Sequence, residues 1–186
     1  MEKALTDEEQ RVLLRVVRET IERLTENKRP LSYDFENSIF HQKRGAFVTL
    51  HKKDELRGCI GYVKAIRPLL TTVIEMAEAA AMRDPRFTPV TGDEVSEIDI
   101  EISVLSPVRE IKNIDEILVG KHGIIIEQGF FSGLLLPQVA TEYGWDRRSF
   151  LEHTCRKAGL PPNAWEDKNT TISIFTAQVF GEKDFC

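Results

Sequence analysis

The chain is poor in cysteine, with three in 186 residues. An odd, sparse set (Cys59, Cys155 and Cys186) does not make the disulfide framework of a small secreted fold. No CxxC pair occurs, which removes zinc-ribbon and thioredoxin-type sites. His41, His51, His122 and His153 show neither HxxxH nor HExxH spacing, so no metal is expected. No GxGxxG or Walker-type loop is present, so no nucleotide cofactor is expected either. No apolar run approaches the roughly 20 residues of a membrane-spanning helix. Positive charge is not in excess: 25 Lys and Arg stand against 30 Asp and Glu, a net charge of -5. Such a surface is poorly suited to neutralising phosphates. Nucleic acid and membrane are therefore not expected partners. The opening MEKALTDEEQ is acidic where a signal peptide is basic and then apolar, so the expected location is cytoplasmic. What remains is an ordinary globular composition, 41% hydrophobic and 30% charged. A chain of this length buries roughly two-thirds of its unfolded surface without a metal or disulfide staple.

The order of elements is legible in outline. Thr6 and Glu9 form a capping box, and Leu13, Val17, Ile21 and Leu24 recur at helical spacing. That helix should stop before Pro30. Residues 31–44 hold no clear period. GAFVTL and LRGCIGY read as two strands around an HKKDE turn. Pro68 is placed at a helix's first position, and Leu69, Val73, Met76, Ala77 and Ala80 form that helix's inner face. IDIEISVL alternates strictly: Ile98, Ile100, Ile102 and Val104 face one way, Asp99, Glu101 and Ser103 the other. The second half repeats this rhythm. Asn113 caps a short helix, HGIIIEQ and SGLLL form a hairpin around Gly129, and Pro137 and Asp146 start two helices. TISIFTAQVF is the last strand. A hairpin–helix–strand order thus occurs twice, at 45–105 and 123–180. The expected fold is α+β, with two packed subdomains of antiparallel sheet at about 1–110 and 111–186. A cleft between such subdomains is the default binding site.

The segments FVTL with LRGCIG, RDPRF, EISVL, HGI, GLLLPQVA with Glu142 and Trp145, and KAGL with Trp165 resemble the AMMECR domain family. The name comes from a human chromosomal region linked to Alport syndrome and elliptocytosis. The resemblance spans about residues 4–184, so 1–186 reads as a single domain of this kind. It implies an α+β fold of two unequal parts with a cleft at the RGCIG segment. It implies no established activity and no cofactor. Some relatives occur with Memo-like and radical-SAM proteins, which implies partners of that kind. One departure is GFFSG at 129–133, where the resemblance would place an Arg beside the glycine.

The residues able to do chemistry are few. Cys59 lies between Gly58 and Gly61, so a ligand could approach its backbone, and Arg57 is positioned to favour a thiolate. A thiol nucleophile needs a base and an orienting group. If HKKDE centres the turn, Leu50 opposes Arg57 and Val48 opposes Cys59. His51 then lies on the face away from Cys59, and any base comes from elsewhere. His122 is the best candidate histidine, and Glu101 the best carboxylate. Arg83, Asp84 and Arg86 form either an anion fork or a self-satisfied turn. Gln138 and Glu142 share a helix face. Two classes of function fit. One is a cysteine-dependent enzyme acting on a small, anionic substrate, with Cys59, His122 and Glu101 catalytic. Its ligand would be held by Arg57, Gly58, Arg83, Asp84, Arg86, Gln138 and Glu142. The other is a non-catalytic adaptor that binds a protein.

Overall fold

The computed structural model describes residues 4–36 and 38–185. Cys186, one of the three cysteines considered above, lies outside the described residues. The chain divides into two compact units: Met1–Leu105 with Gln178–Cys186, and Ser106–Ala177. The last residues therefore return to the first unit, a departure from the expected division near residue 110. The long last strand β7 (Thr171–Gly181) begins in one unit and ends in the other.

In the first unit, α1 (Asp7–Thr25) starts where the capping box places it. The Thr6 hydroxyl accepts the Glu9 N–H at 3.3 Å, and the Glu9 carboxylate accepts the Thr6 N–H at 2.7 Å. Removing that cap with Thr6→Ala is expected to cost about 1 kcal/mol. Urea unfolding should show a lower midpoint with an unchanged slope. The segment without a clear period holds one helical turn, α2 (Ser38–His41). Strands β1 (Ala46–Lys52) and β2 (Glu55–Tyr62) form the hairpin, and α3 (Leu69–Met82) follows. Pro68 sits one position earlier than expected, as the N-cap of α3. Strand β3 (Ile98–Leu105) pairs antiparallel with β1, giving the order β2-β1-β3. Helices α1 and α3 cover one face of this sheet. Leu13, Val17 and Ile21 from α1 and Leu69, Val73 and Ala77 from α3 meet Val48, Leu50, Ile100 and Ile102 there. Leu24, expected on the inner face, is only half-buried.

The hairpin departs from its expected register in one place. Its two-residue turn, Lys53 and Asp54, has both φ angles positive (53° and 64°), as a type I′ turn requires. The next pair, His51 with Leu56, follows the expected alignment. A bulge then inserts Arg57, so that Leu50 opposes Gly58 and Thr49 opposes Cys59. This one-residue slip sends Gly58 to the helix-covered face and Cys59 to the other. Gly58 is required there: a Cβ on it would stand 2.4 Å from the carbonyl oxygen of Ala80 in α3.

The second unit has the same wiring. Strands β5 (His122–Gln128) and β6 (Phe131–Leu135) form a hairpin, and β7 pairs on the far side of β5, giving β6-β5-β7. A short strand, β4 (Arg109–Ile111), which has no signal in the sequence, adds to the other edge of β7. Helix α4 (Pro137–Glu142) is short, and α5 (Arg147–Lys157) is capped by Asp146, whose carboxylate accepts the Ser149 N–H at 2.7 Å. Phe150, Leu151 and Cys155 of α5 meet Ile124, Ile126, Ile172 and Ile174. Gly133 matches Gly58 in role, since a Cβ on it would stand 2.4 Å from the backbone nitrogen of Ala158, just past α5. The helix equivalent to α3 is thus α5, not the Pro137 helix. The shared strand order and the two matched glycines support the reading of a repeated hairpin–helix–strand unit.

Candidate functional site

The face of the β2-β1-β3 sheet opposite α1 and α3 brings several of the candidate side chains together. Register places Cys59 opposite Thr49, and Thr49 opposite Glu101. Residues opposed in an antiparallel ladder share a face, so a thiol, a hydroxyl and a carboxylate stand in one cross-strand row. Two residues along β1, His51 opposes Asp99 on the same face. All five side chains are half-buried. The Thr49 hydroxyl donates to Cys59 Sγ at 3.3 Å. Glu101 lies two strands from Cys59, about 9–10 Å by strand spacing, so Thr49 stands between them. The expectation that His51 faces away from Cys59 is reversed by the Arg57 bulge.

The Cys59 backbone is held from the other side. Strand β2 is an edge, so the outward N–H and C=O of Cys59 have no neighbouring strand. The Asp84 carboxylate accepts the Cys59 N–H at 2.9 Å, and the Arg86 guanidinium donates to the Cys59 carbonyl at 3.1 Å. Asp84 also accepts from the backbone N–H, Nε and Nη2 of Arg86, at 3.1, 3.0 and 2.7 Å. With 1% of its side chain exposed, Asp84 is kept well below the usual carboxylate range. The Arg86 hydrogen bond is the main cause, and the two backbone N–H groups reinforce it. RDPRF therefore clips RGCIG in place and closes an edge that would otherwise template strand pairing.

The arginines expected to favour a thiolate or hold an anion are already engaged. Arg57 donates from Nε and Nη2 to Glu94 at 3.2 and 3.0 Å, and Lys52 reaches the same carboxylate at 3.2 Å. These bonds, Arg57 foremost, push Glu94 down to about 2. Arg83 pairs with Glu78 at 2.9 Å, and Arg86 with Asp84. Gly58 serves packing under α3. Each of these guanidinium groups already has a carboxylate partner, although the buried Nη1 of Arg57 makes no hydrogen bond.

The remaining candidates lie in the second unit. His122 Nδ1 accepts the Leu118 N–H at 3.1 Å, which leaves the neutral ring's proton on Nε2. Burial, with Lys121 nearby, lowers its pKa. Gln138 is half-buried on α4, a six-residue helix, and Glu142 is exposed at that helix's end. His122, Gln138 and Glu142 thus belong to one unit, and Cys59 and Glu101 to the other. Cys155 is fully buried, and burial pushes its thiol up.

A cavity of about 320 Å³ opens at the His51 end of the face. His51, Asp99, Glu101 and Lys183 line it. Lys183 bridges Asp54 at 2.7 Å and Asp99 at 2.9 Å. Among the described residues, Glu101 has no hydrogen-bonding or ion-pairing partner and His51 has no hydrogen bond. Thr49, His51 and Lys183 are the residues that sequence reasoning missed. Thr49 and His51 depend on the bulge, which has no sequence signature. Lys183 arrives from the far end of the chain. Among the described residues, no group of three or more His, Cys, Asp or Glu could hold a metal ion. No helix there is long and apolar enough to cross a membrane.

These features define a class: an α+β chain of two antiparallel-sheet units, with a half-buried thiol on an edge strand clipped by an Asp–Arg pair. The AMMECR1 family model matches residues 14–180, and the chain belongs to that family. A protein of Methanothermobacter thermautotrophicus is 46% identical over 185 residues, with 96% of each chain covered. The protein MJ0810 of Methanocaldococcus jannaschii is 44% identical over 186 residues, covering 96% of this chain and 92% of that one. The crystal structure of the uncharacterized protein PH0010 from Pyrococcus horikoshii superposes with a TM-score of 0.88 at 39% identity. It covers 96% of this chain and 94% of that one.

Proposed function

We propose that this protein binds a small molecule on the face of the β2-β1-β3 sheet opposite α1 and α3 and acts on it through the Cys59 thiol. The supporting observation is the row Cys59–Thr49–Glu101, in which the thiol meets a hydroxyl at 3.3 Å and the carboxylate beyond it is uncommitted. Neighbouring arginines have carboxylate partners, whereas, among the described residues, His51 and Glu101 have no hydrogen bond and the Cys59 thiol meets only Thr49. The chemistry such a row supports is acyl transfer. Cys59 Sγ attacks an acyl carbonyl, the C–S bond forms, and the bond to the leaving group breaks. The leaving group takes up the thiol proton while Thr49 donates to Sγ. Water, with Glu101 as its base, then attacks the thioester; the C–S bond breaks, the acid is released and the thiol is restored. Asp99 and Glu101 make the face acidic, so the substrate group beside them is neutral or cationic rather than anionic.

The test is alkylation of the native protein by iodoacetamide at pH 8, read by mass spectrometry at each cysteine. Cys59 should label on the folded chain and Cys155 only after unfolding. Thr49→Val should slow Cys59 labelling about fivefold, the worth of one hydrogen bond of about 1 kcal/mol. A Cys59 that labels only on unfolding overturns the proposal. So does a rate unchanged in Thr49→Val.

A second reading is a protein-binding adaptor, with Memo-like or radical-SAM proteins as the partners the family resemblance implies. Its supporting observation is the β5–β6 turn, where Phe130 is fully exposed and Phe131 is more than half exposed. A Phe130→Ser, Phe131→Ser double variant that keeps its melting temperature but loses co-purifying partners would support this reading.

A further inference from the structure

We infer that the groove between α1 and the C-terminal turn is a second binding site, for a small carboxylate carried on an apolar body. It shares no residue with the thiol row and stands or falls independently of it. The groove has a volume of about 440 Å³ and is lined by Glu8, Arg11, Val12, Leu14, Arg15, Glu182 and Phe185. Leu14 is buried, and Val12 and Phe185 are half-buried, which gives it an apolar floor. Arg11 and Arg15 are four apart on α1 and therefore project along one helix face. The Arg11 guanidinium lies over the Phe185 ring, 4.4 Å from its centroid.

The charges of this groove are unevenly committed. Glu182 is held by the Arg18 guanidinium and by the Ile100 N–H at 3.0 Å. Among the described residues, neither Arg11 nor Arg15 has a hydrogen bond or an ion pair. Two free guanidinium groups thus face one further carboxylate, Glu8, and the groove carries a net positive charge. Arginine's planar fork matches a carboxylate in two-point contact. The contact with Phe185 engages no hydrogen-bonding group, so the Arg11 N–H donors stay available to an anion. An anion seated between the two arginines would lay its apolar part on Val12, Leu14 and Phe185. A bare anion would leave that floor wet, and a neutral apolar molecule would leave the arginines without a partner.

The experiment is a titration of the full ¹⁵N-labelled chain with phenylacetate, followed by amide chemical shifts. Acetate and 2-phenylacetamide serve as the charge-only and body-only probes. Saturable shifts are expected in residues 8–15 and at Phe185, with acetate and the amide each at least about tenfold weaker. Arg15→Gln and Arg11→Gln should each weaken phenylacetate about tenfold, the worth of one charge-assisted hydrogen bond. Both positions are exposed on α1, so the fold should be retained; in Arg11→Gln the unliganded shifts should change only near the substitution and at Phe185, which loses the guanidinium over its ring. Acetate binding as well as phenylacetate would overturn the inference. Undiminished binding by both variants, or shifts confined to other regions, would overturn it too.

Discussion

Replacing Gly58 with alanine is expected to destabilise the first unit by about 3 kcal/mol, at the upper end of overpacking costs. The added methyl would sit 2.4 Å from the Ala80 carbonyl oxygen. That neighbour is helix backbone, not the flexible end of a side chain. Relief therefore requires α3 to lift from β2, which opens the contact between Leu50 and the helix and exposes apolar surface. For a chain of this size the melting temperature should fall by roughly 6–12 °C. Gly92→Ala is the control: a Cβ there meets nothing within 4 Å, and its effect should stay within about 0.5 kcal/mol. A Gly58→Ala protein that melts with the native one would mean that α3 does not press on β2 as described.

Asp84→Asn should cost about 2–4 kcal/mol, with a distinctive dependence on pH. The native carboxylate accepts four hydrogen bonds, from the Cys59 N–H and three Arg86 donors. Asparagine keeps the shape but turns one acceptor into a donor, which must then face either the Cys59 N–H or the guanidinium. It also removes the negative charge beside Arg86. The pKa of Asp84 is depressed in the folded state, so its stabilisation is fully present above the ordinary value of 3.8. It is lost as pH falls from there through the folded value. The gap between native and Asp84→Asn proteins should therefore be constant from pH 7 to 5. Below 3.8 it should narrow, at a rate approaching about 1.4 kcal/mol per pH unit. Glu94, at about 2 in the fold, loses its contribution over the window from 4.5 down to about 2. It does so in both proteins and cancels in the difference. A gap that does not change with pH would show that Asp84 titrates normally and does not clip the edge. Because the clip closes the β2 edge at Cys59, the variant should also self-associate more readily, visible by sedimentation.

The clip and the thiol row divide the RGCIG segment between them. Gly58 and the Cys59 backbone are committed to architecture, and the Cys59 side chain is left over. This separates a question that the motif alone blurs, since glycines beside a cysteine read equally well as ligand access or as packing. Here Gly58 packs under a helix, and Gly61 packs under the Phe47 ring, where a Cβ would stand 2.3 Å from the nearest ring carbon. The unit-two counterpart of the row follows from the matched glycines: Leu134, Ile125 and Ser173 take the places of Cys59, Thr49 and Glu101. Equal wiring therefore carries a polar row in one unit and a mostly apolar row in the other.

Strong local signals determined much of this protein by sequence alone. The Thr6–Glu9 box, the Asp146 cap, the 3.6-residue period of α1 and α3 and the two-residue period of β3 each involve neighbours within one turn or pleat. Their energies do not depend on distant chain, so element type and the α+β class were legible, along with Cys59 and Glu101 as candidates. The tertiary structure alone decided the face on which Cys59 lies. One inserted residue, Arg57, reverses every side chain beyond it, and what favours the insertion is α3 pressing on Gly58 from 22 residues away along the chain. The engagement of Arg57 and Lys183 was likewise hidden, because their partners Glu94 and Asp99 meet them through the fold and not through spacing, whereas the local Asp84–Arg86 turn was one of two readings the sequence offered. Periodicity reports which residues face the core. Which charged residues neutralise one another, and which are left for a ligand, is settled by contacts between segments that sequence order does not bring together.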